Sequence, residues 1–139
     1  MIPRLRVWDK KNEKMIYAGE LYLFVFGCYK DDVWVHNADK NHNILTRDIM
    51  QSTGLKDKNG VEIYEGDIVT RTHKFNGAYG ETFTGKVIYN LDFARYEIIE
   101  PNKYIGYKSE GLRNILSELS DYEIIGNIYE NPELLEVAE

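Results

Sequence analysis

Three groups of side chains have residue types that catalysis or ligand binding could use. Glu62, Glu65 and Asp67 lie close together after the Asn59-Gly60 pair. Neighbouring carboxylates can act as general acid and base when burial or mutual repulsion drives their pKa values apart. Glu65 and Asp67 flank Gly66, and nothing in the surrounding residues calls for burial. They read as turn-forming and surface residues, with Asp67 suited to accepting a hydrogen bond from a nearby backbone N–H. His36, Asp39 and His42 form the second group, which a polar loop could in principle fold around a metal ion. Metal ligands usually sit on fixed elements and are oriented by outer hydrogen-bond partners, so Asn37–Asn43 (NADKNHN) reads as a solvated loop. With His73, these are the chain's three histidines. None has a nucleophile with a recognisable local signature beside it. The third group, Gly80–Lys86 (GETFTGK), matches the opening of a phosphate-binding P-loop. A working P-loop needs Ser or Thr after the lysine and a helix N-terminus to follow. Here Val87 begins the strand-like run Val87-Ile88-Tyr89, so phosphate has no cradle. No catalytic, cofactor-binding or metal-binding residue is assigned, and the expectation is a protein that is not an enzyme and carries no cofactor.

The bulk chemistry points the same way. Asp and Glu outnumber Lys and Arg by 23 to 17, for a net charge of −6. Proteins that coat nucleic acid non-specifically have the opposite balance, because neutralising phosphates supplies most of their affinity. Trp8, Trp34 and the tyrosines could stack on unpaired bases, yet Trp34 has Asp31, Asp32 and Asp39 as neighbours where a stacking platform needs Arg or Lys. Core packing, or a tyrosine-rich surface for a protein partner, is the better reading. Cys28 is the only cysteine, which excludes an intrachain disulfide and a multi-cysteine zinc site. It lies in the apolar run Leu21–Cys28 (LYLFVFGC) and reads as a buried, inert thiol. That run is too short to span a bilayer and follows no signal-type basic segment, so a cytoplasmic protein is expected.

The elements that would position these residues are mostly strands. Arg4–Trp8 and Met15–Ala18 flank the turn segment Asp9–Lys14 (DKKNEK) and read as a hairpin. Leu21–Gly27 and Asp32–Asn37 make a second strand pair, and the type of Ile44–Met50 is open from periodicity alone. In Met50–Val69 (MQSTGLKDKNGVEIYEGDIV), Asp57-Lys58-Asn59-Gly60 is a tight turn to which Asn-Gly brings positive φ angles. Glu65-Gly66-Asp67 is a second turn, and Ile68-Val69 opens a strand in the manner of SH3-like barrels. Phe75–Thr84 reads as a glycine-rich loop or distorted hairpin tip, with Gly85–Asn90 and Arg95–Glu100 as antiparallel strands. Pro101-Asn102 breaks the pattern, and Tyr104–Tyr107 could add a short strand. Leu112, Ile115, Leu116 and Leu119 give Gly111–Leu119 the apolar stripe of a short helix. Tyr122–Tyr129 is the final strand, with Gly126 permitting a bulge or close backbone contact. Asn131 and Pro132 then suit the N-cap and first position of a terminal helical turn, Pro132–Val137.

Three blocks, Arg6–Met15 (RVWDKKNEKM), Met50–Val69 and Ile124–Leu135 (IIGNIYENPELL), together resemble the YopX family of phage and prophage proteins. The resemblance frames nearly the whole chain. It implies a phage-encoded protein in a bacterial host, a mostly β fold with an SH3-like barrel element, and no established activity. It carries over no catalytic or ligand residues. The expected architecture is an N-terminal β-hairpin subdomain over residues 1–49, then an SH3-like barrel domain over 50–139 with one or two short C-terminal helices. The expected function is that of a non-catalytic phage accessory protein that binds a protein of the phage or its host. The alternative is a nucleic-acid-associated module, an inference from fold analogy alone. A homo-oligomer is a further possibility, because an edge strand offers a route to pairing with a second copy.

Overall fold

Short alternating segments punctuated by Asp, Asn and Gly fold into antiparallel strands, and strands dominate the computed structural model. It describes residues 4–17, 26–29, 32–37, 42–46, 48–75, 78–102, 106–111 and 122–136. The chain divides into two units, Met1–Ser52 and Thr53–Glu139.

The first unit contains β1 (Leu5–Asp9), β2 (Lys14–Tyr17), β3 (Phe26–Tyr29), β4 (Asp32–Asn37), β5 (His42–Thr46) and the start of β6 (Ile49–Lys56). Strand β1 pairs with β2 through Val7↔Ile16 and with β6 through Val7↔Ile49. The turn from β1 to β2 is set by Asp9, which is buried. Its Oδ1 accepts from the Lys11 and Asn12 amides at 3.1 and 3.3 Å, and its Oδ2 from Asn12 Nδ2 at 2.8 Å. Strands β3, β4 and β5 form a separate sheet in that order. Val7, Val35 and Ile44 make the core of this unit, with Ile16 and Ile49 packed against them. Thr46 is fully buried. It stays satisfied because its hydroxyl donates to the Trp8 carbonyl at 3.0 Å and accepts from the Asp48 amide at 2.9 Å.

In the second unit the remainder of β6 neighbours β7 (Glu62–Tyr64). A five-stranded antiparallel sheet follows, built from β8 (Asp67–Phe75), β9 (Ala78–Asn90), β10 (Arg95–Asn102), β11 (Gly106–Gly111) and β12 (Glu123–Asn127). Its order is β11-β10-β9-β8-β12, so the last strand returns beside the first. Ile63, Val69, Phe83, Val87, Ile98 and Tyr122 are its buried core. Phe83 and Val87 alternate along one face of β9, as a half-buried strand requires. Gly85, between them, lets the backbone pass so closely that a Cβ there would lie 2.5 Å from the Ile99 carbonyl oxygen.

Several sequence expectations need correction. Of the two readings of Phe75–Thr84, the loop is overturned and the irregular hairpin stands: β8 and β9 keep pairing through Thr70↔Thr84 and Thr72↔Thr82 to Phe75↔Ala78, with a register shift between Thr72 and Lys74. Its Thr, Tyr and Phe content outweighs the loop signal of its glycines. Strand β10 continues through Pro101, which pairs with Tyr107, whereas the β9 ladder stops at Ile99↔Lys86. Pro101 thus falls where β10 has no β9 partner, the kind of strand position that tolerates a missing N–H. The Asp57 turn gives a positive φ to Gly60 but not to Asn59. The Gly60 amide donates to the Asp57 carbonyl at 3.0 Å, which fits a type I turn closed by a left-handed glycine better than the mirror-image turn. Near the C-terminus Pro132–Leu135 forms one 3-10 turn. Asn131 makes no side-chain cap there, because its Oδ1 accepts from the Asn127 amide instead. Of the helix expected over Gly111–Leu119, Gly111 closes β11 and the rest lies outside the described residues.

Candidate interaction site

The side chains that stand out most for function were not among those singled out by type and spacing. Asn90 and Arg95 pair across the end of the β9–β10 hairpin, which leaves Leu91-Asp92-Phe93-Ala94 as its turn. Leu91 is 84% exposed and Phe93 67%. Turns normally carry Gly, Asn, Asp, Ser or Pro, and a turn showing two large apolar side chains to solvent serves no packing role. Tyr89, at the root of the turn, is also exposed and meets Tyr96 edge-to-face at 5.1 Å between ring centroids.

The turn is held stiffly. The Asp92 amide donates to Asn90 Oδ1 at 2.9 Å, a local Asx bond that starts the bend. Ala94 has φ 50°, in the left-handed region that an L-residue occupies at a cost of about 1–2 kcal/mol. Arg95 donates from Nε to Glu97 Oε1 at 2.8 Å, and Asn90 Nδ2 donates to Glu97 Oε2 at 3.0 Å. The buried Glu97 carboxylate therefore ties the two legs of the hairpin together. The Arg95 guanidinium also lies over the Phe93 ring, 5.2 Å from its centroid. Rigid, exposed aromatic and aliphatic side chains with a paid-for conformation are the form that interface anchors take. Burial pushes the Tyr96 phenol above its ordinary pKa of 10.0, helped by the nearby negative charge of Glu65 and by Tyr89.

The structure also places most of the residues that sequence reasoning singled out. Asp67 is buried, contrary to the surface reading, but its Oδ2 accepts from the Tyr64 amide at 2.8 Å, as a turn aspartate does. Glu62 Oε2 accepts from the Tyr64 hydroxyl at 3.2 Å, and Glu65 is partly exposed. His36 and His42 lie in β4 and β5, not in a loop. The register pairs His36 with Asn43 and His42 with Asn37, while Asp39 lies outside the described residues. Among the described residues no group of three or more His, Cys, Asp or Glu could hold a metal ion. Gly80–Lys86 lies wholly inside β9, so it forms neither loop nor helix N-terminus. Cys28 lies in β3. No helix among the described residues is long and apolar enough to cross a membrane.

The hairpin tip was legible in principle: Leu91 and Phe93 interrupt what should be a polar connection between two strands. The other recurrent Asp, Asn and Gly residues have structural work. Asp57 Oδ1 accepts from the Asn59 and Val61 amides, both at 2.9 Å, and Oδ2 from the Ile124 amide at 3.0 Å. Asn127 Oδ1 accepts from the Tyr129 and Glu130 amides at 3.0 and 2.9 Å. The register shift in β12 falls between Ile124 and Gly126, where a Cβ on Gly126 would lie 2.4 Å from Asn131 Oδ1.

These features define an antiparallel β protein whose signature residues fix turns and whose most exposed apolar side chains, among the described residues, crown a hairpin. The chain belongs to the YopX protein family, which it matches over residues 4–136. It is similar to the crystal structure of protein EF1440 from Enterococcus faecalis, with 29% identity and a TM-score of 0.57, over 98% of this chain and 99% of that one. No curated protein matches it.

Proposed function

We propose that this chain is a non-catalytic accessory protein of a phage or prophage that acts in the bacterial cytoplasm by binding another protein. The observation that carries the reading is the β9–β10 turn, with Leu91 and Phe93 exposed on a backbone fixed by Asn90, Arg95 and Glu97. Burying either side chain in a partner would gain about 1.5–3 kcal/mol. The strand order β11-β10-β9-β8-β12, with the last strand beside the first, supports reading the second unit as an SH3-like barrel. On that reading the β9–β10 turn is one of the loops at a barrel end, a common place for recognition.

The test is co-purification from host cells with wild-type protein and with a Leu91→Ser/Phe93→Ser variant. The expected result is a stoichiometric protein partner retained by the wild type and lost by the variant, with equal thermal stability of the two. A partner held equally by both would move the interface elsewhere. Binding of single- or double-stranded DNA or RNA in a gel shift, with no protein partner, would favour the nucleic-acid reading instead.

A further inference from the structure

The turn that Asp57 begins contains a chemically labile pair. Asparagine is among the least durable side chains, and it is most exposed to cyclisation when glycine follows, because the attacking backbone nitrogen then meets no side chain in its way. Every described asparagine other than Asn59 precedes a residue with a side chain. The sequence's second Asn-Gly pair, Asn76-Gly77, lies outside the described residues. Asn59 and Gly60 are both exposed, and nothing beyond the chain neighbours comes within 4 Å of where a Cβ on Gly60 would be, so water reaches the pair. The turn nevertheless engages the nitrogen that would attack: the Gly60 amide donates to the Asp57 carbonyl at 3.0 Å. The Asp57 amide donates to the Val61 carbonyl at 2.8 Å, and Asp57 Oδ1 takes the Asn59 and Val61 amides, both at 2.9 Å.

We propose that Asn59 is a self-modification site, converting through a succinimide to aspartate or isoaspartate, and that the closed turn slows this step. The Gly60 nitrogen gives its proton to hydroxide and bonds to Asn59 Cγ, while Nδ2 takes a proton from water and leaves as ammonia. Water then opens the ring at either carbonyl. While the Gly60 N–H is held by the Asp57 carbonyl its proton is not free to leave, so reaction waits for the turn to open. Conversion in turn loosens β12. Isoaspartate adds a methylene to the main chain between Asn59 Cα and the Gly60 nitrogen, so the Gly60 and Val61 amides no longer both reach Asp57. Either product puts a carboxylate where Asn59 Nδ2 lies 3.5 Å from Glu123 Oε1, and Glu123 already pairs with Lys58 at 3.2 Å. The Asp57 carboxylate displaced by these changes is the one that holds the Ile124 amide at 3.0 Å.

The test incubates folded wild type and the same protein unfolded in urea at one mildly alkaline pH. Peptide mapping with isoaspartate detection follows residue 59 separately from Asn76. Conversion is expected to be slower in the folded protein by at least the factor by which Gly60 amide exchange is slowed, since both need the same proton freed. Asp57→Ala keeps the two backbone bonds of the turn but loses those of the carboxylate. Its folded form should convert about tenfold faster than folded wild type, yet more slowly than the unfolded chain. Folded protein carrying isoaspartate should exchange its Val61 and Ile124 amides faster than unconverted protein. Equal rates in folded and unfolded wild type, or an Asp57→Ala rate no higher than wild type, overturn the restraint. Absence of conversion at residue 59 from both folded proteins overturns the site, and unchanged Ile124 exchange after conversion overturns the link to β12. Should Asp57→Ala fail to fold, Asp57→Ser, which retains a hydroxyl to accept one turn amide, decides by the same criteria.

Discussion

The Asp57 carboxylate accepts a 3.0 Å hydrogen bond from the Ile124 amide, 67 residues further along the chain. With its other oxygen it holds the turn that Asp57 itself begins. One side chain thus joins two of the three sequence blocks on which the family resemblance rests. The Ile128 amide joins the same blocks by donating to the Gly66 carbonyl, and just before the later block the Lys58 amide donates to the Tyr122 carbonyl and Lys58 Nζ lies 3.2 Å from Glu123. Asp67 also pairs with Asn127 across β8 and β12. The blocks stand out in sequence because their polar residues complete one another's backbone hydrogen bonds.

Removing that carboxylate should be costly. Asp57→Ala leaves the half-buried Ile124 amide without its acceptor and strips the turn of two more bonds. A loss of about 2–4 kcal/mol in urea unfolding is expected. Asp57→Asn should lose nearly as much, because whichever way the amide is turned, its NH2 faces an N–H donor. An Asn variant as stable as wild type would mean that the second oxygen contributes nothing.

Two glycines should respond differently to the same substitution. A Cβ at Gly85 meets the Ile99 backbone oxygen at 2.5 Å, whereas one at Gly126 meets the Asn131 side chain at 2.4 Å. Neither separation is tolerable, so both Gly→Ala variants should lose roughly 1–3 kcal/mol. Adding Asn131→Ala should recover part of the loss at Gly126 and none at Gly85, since only the first obstacle is a side chain. A double-mutant cycle by thermal or urea unfolding checks this.

Much of this architecture could be read from residue types. The hairpin around Asp9–Lys14, the strand opened by Ile68-Val69 and the bulge at Gly126 all follow from local turn chemistry and alternation, and the structure has them. What failed were places where pairing overrode a local signal. The glycines in Phe75–Thr84 left a loop and an irregular hairpin both open, and pairing decided for the hairpin: Thr70 and Thr84 face each other across β8 and β9 with hydroxyls 3.0 Å apart. Asn131 said helix cap, but the chain reversal after β12 puts the Asn127 amide within its reach. Burial of Asp67 was invisible for the same reason: the hydrogen bond that makes it tolerable depends on where Gly66 turns the chain. The hairpin tip was missed for another cause. Apolar residues in a short turn carry no periodic signal, and only the register Asn90↔Arg95 reveals that Leu91 and Phe93 are left outside.

The strain in that turn is measurable. Ala94 holds φ 50° where glycine would be at ease. Ala94→Gly should stabilise the protein by about 0.5–1 kcal/mol, with the gain in the unfolding midpoint and little change in denaturant slope. If the fixed turn serves partner binding, the same variant should bind no better despite being more stable, since a looser tip has more to lose on docking. A destabilised Ala94→Gly variant would show that the left-handed turn is not strained.

Tyr96 gives the protein a pH dependence whose sign is fixed. Burial disfavours its phenolate, and the negative charge of Glu65 disfavours it further, so the folded phenol ionises above 10.0. Below 10.0 the phenol is protonated both folded and unfolded, and its contribution is fully present. Between 10.0 and the raised folded value, the native state holds a proton that the unfolded chain has released. Stability from this residue therefore falls as pH rises through that window. Subtracting the ultraviolet phenolate titration of a Tyr96→Phe variant from that of wild type should give a midpoint above 10.0. Glu65→Gln should move that midpoint down without bringing it to the free value, because burial remains the larger cause. A difference midpoint at or below 10.0, or one unmoved by Glu65→Gln, would contradict this account of the pairing between the β7–β8 turn and β10.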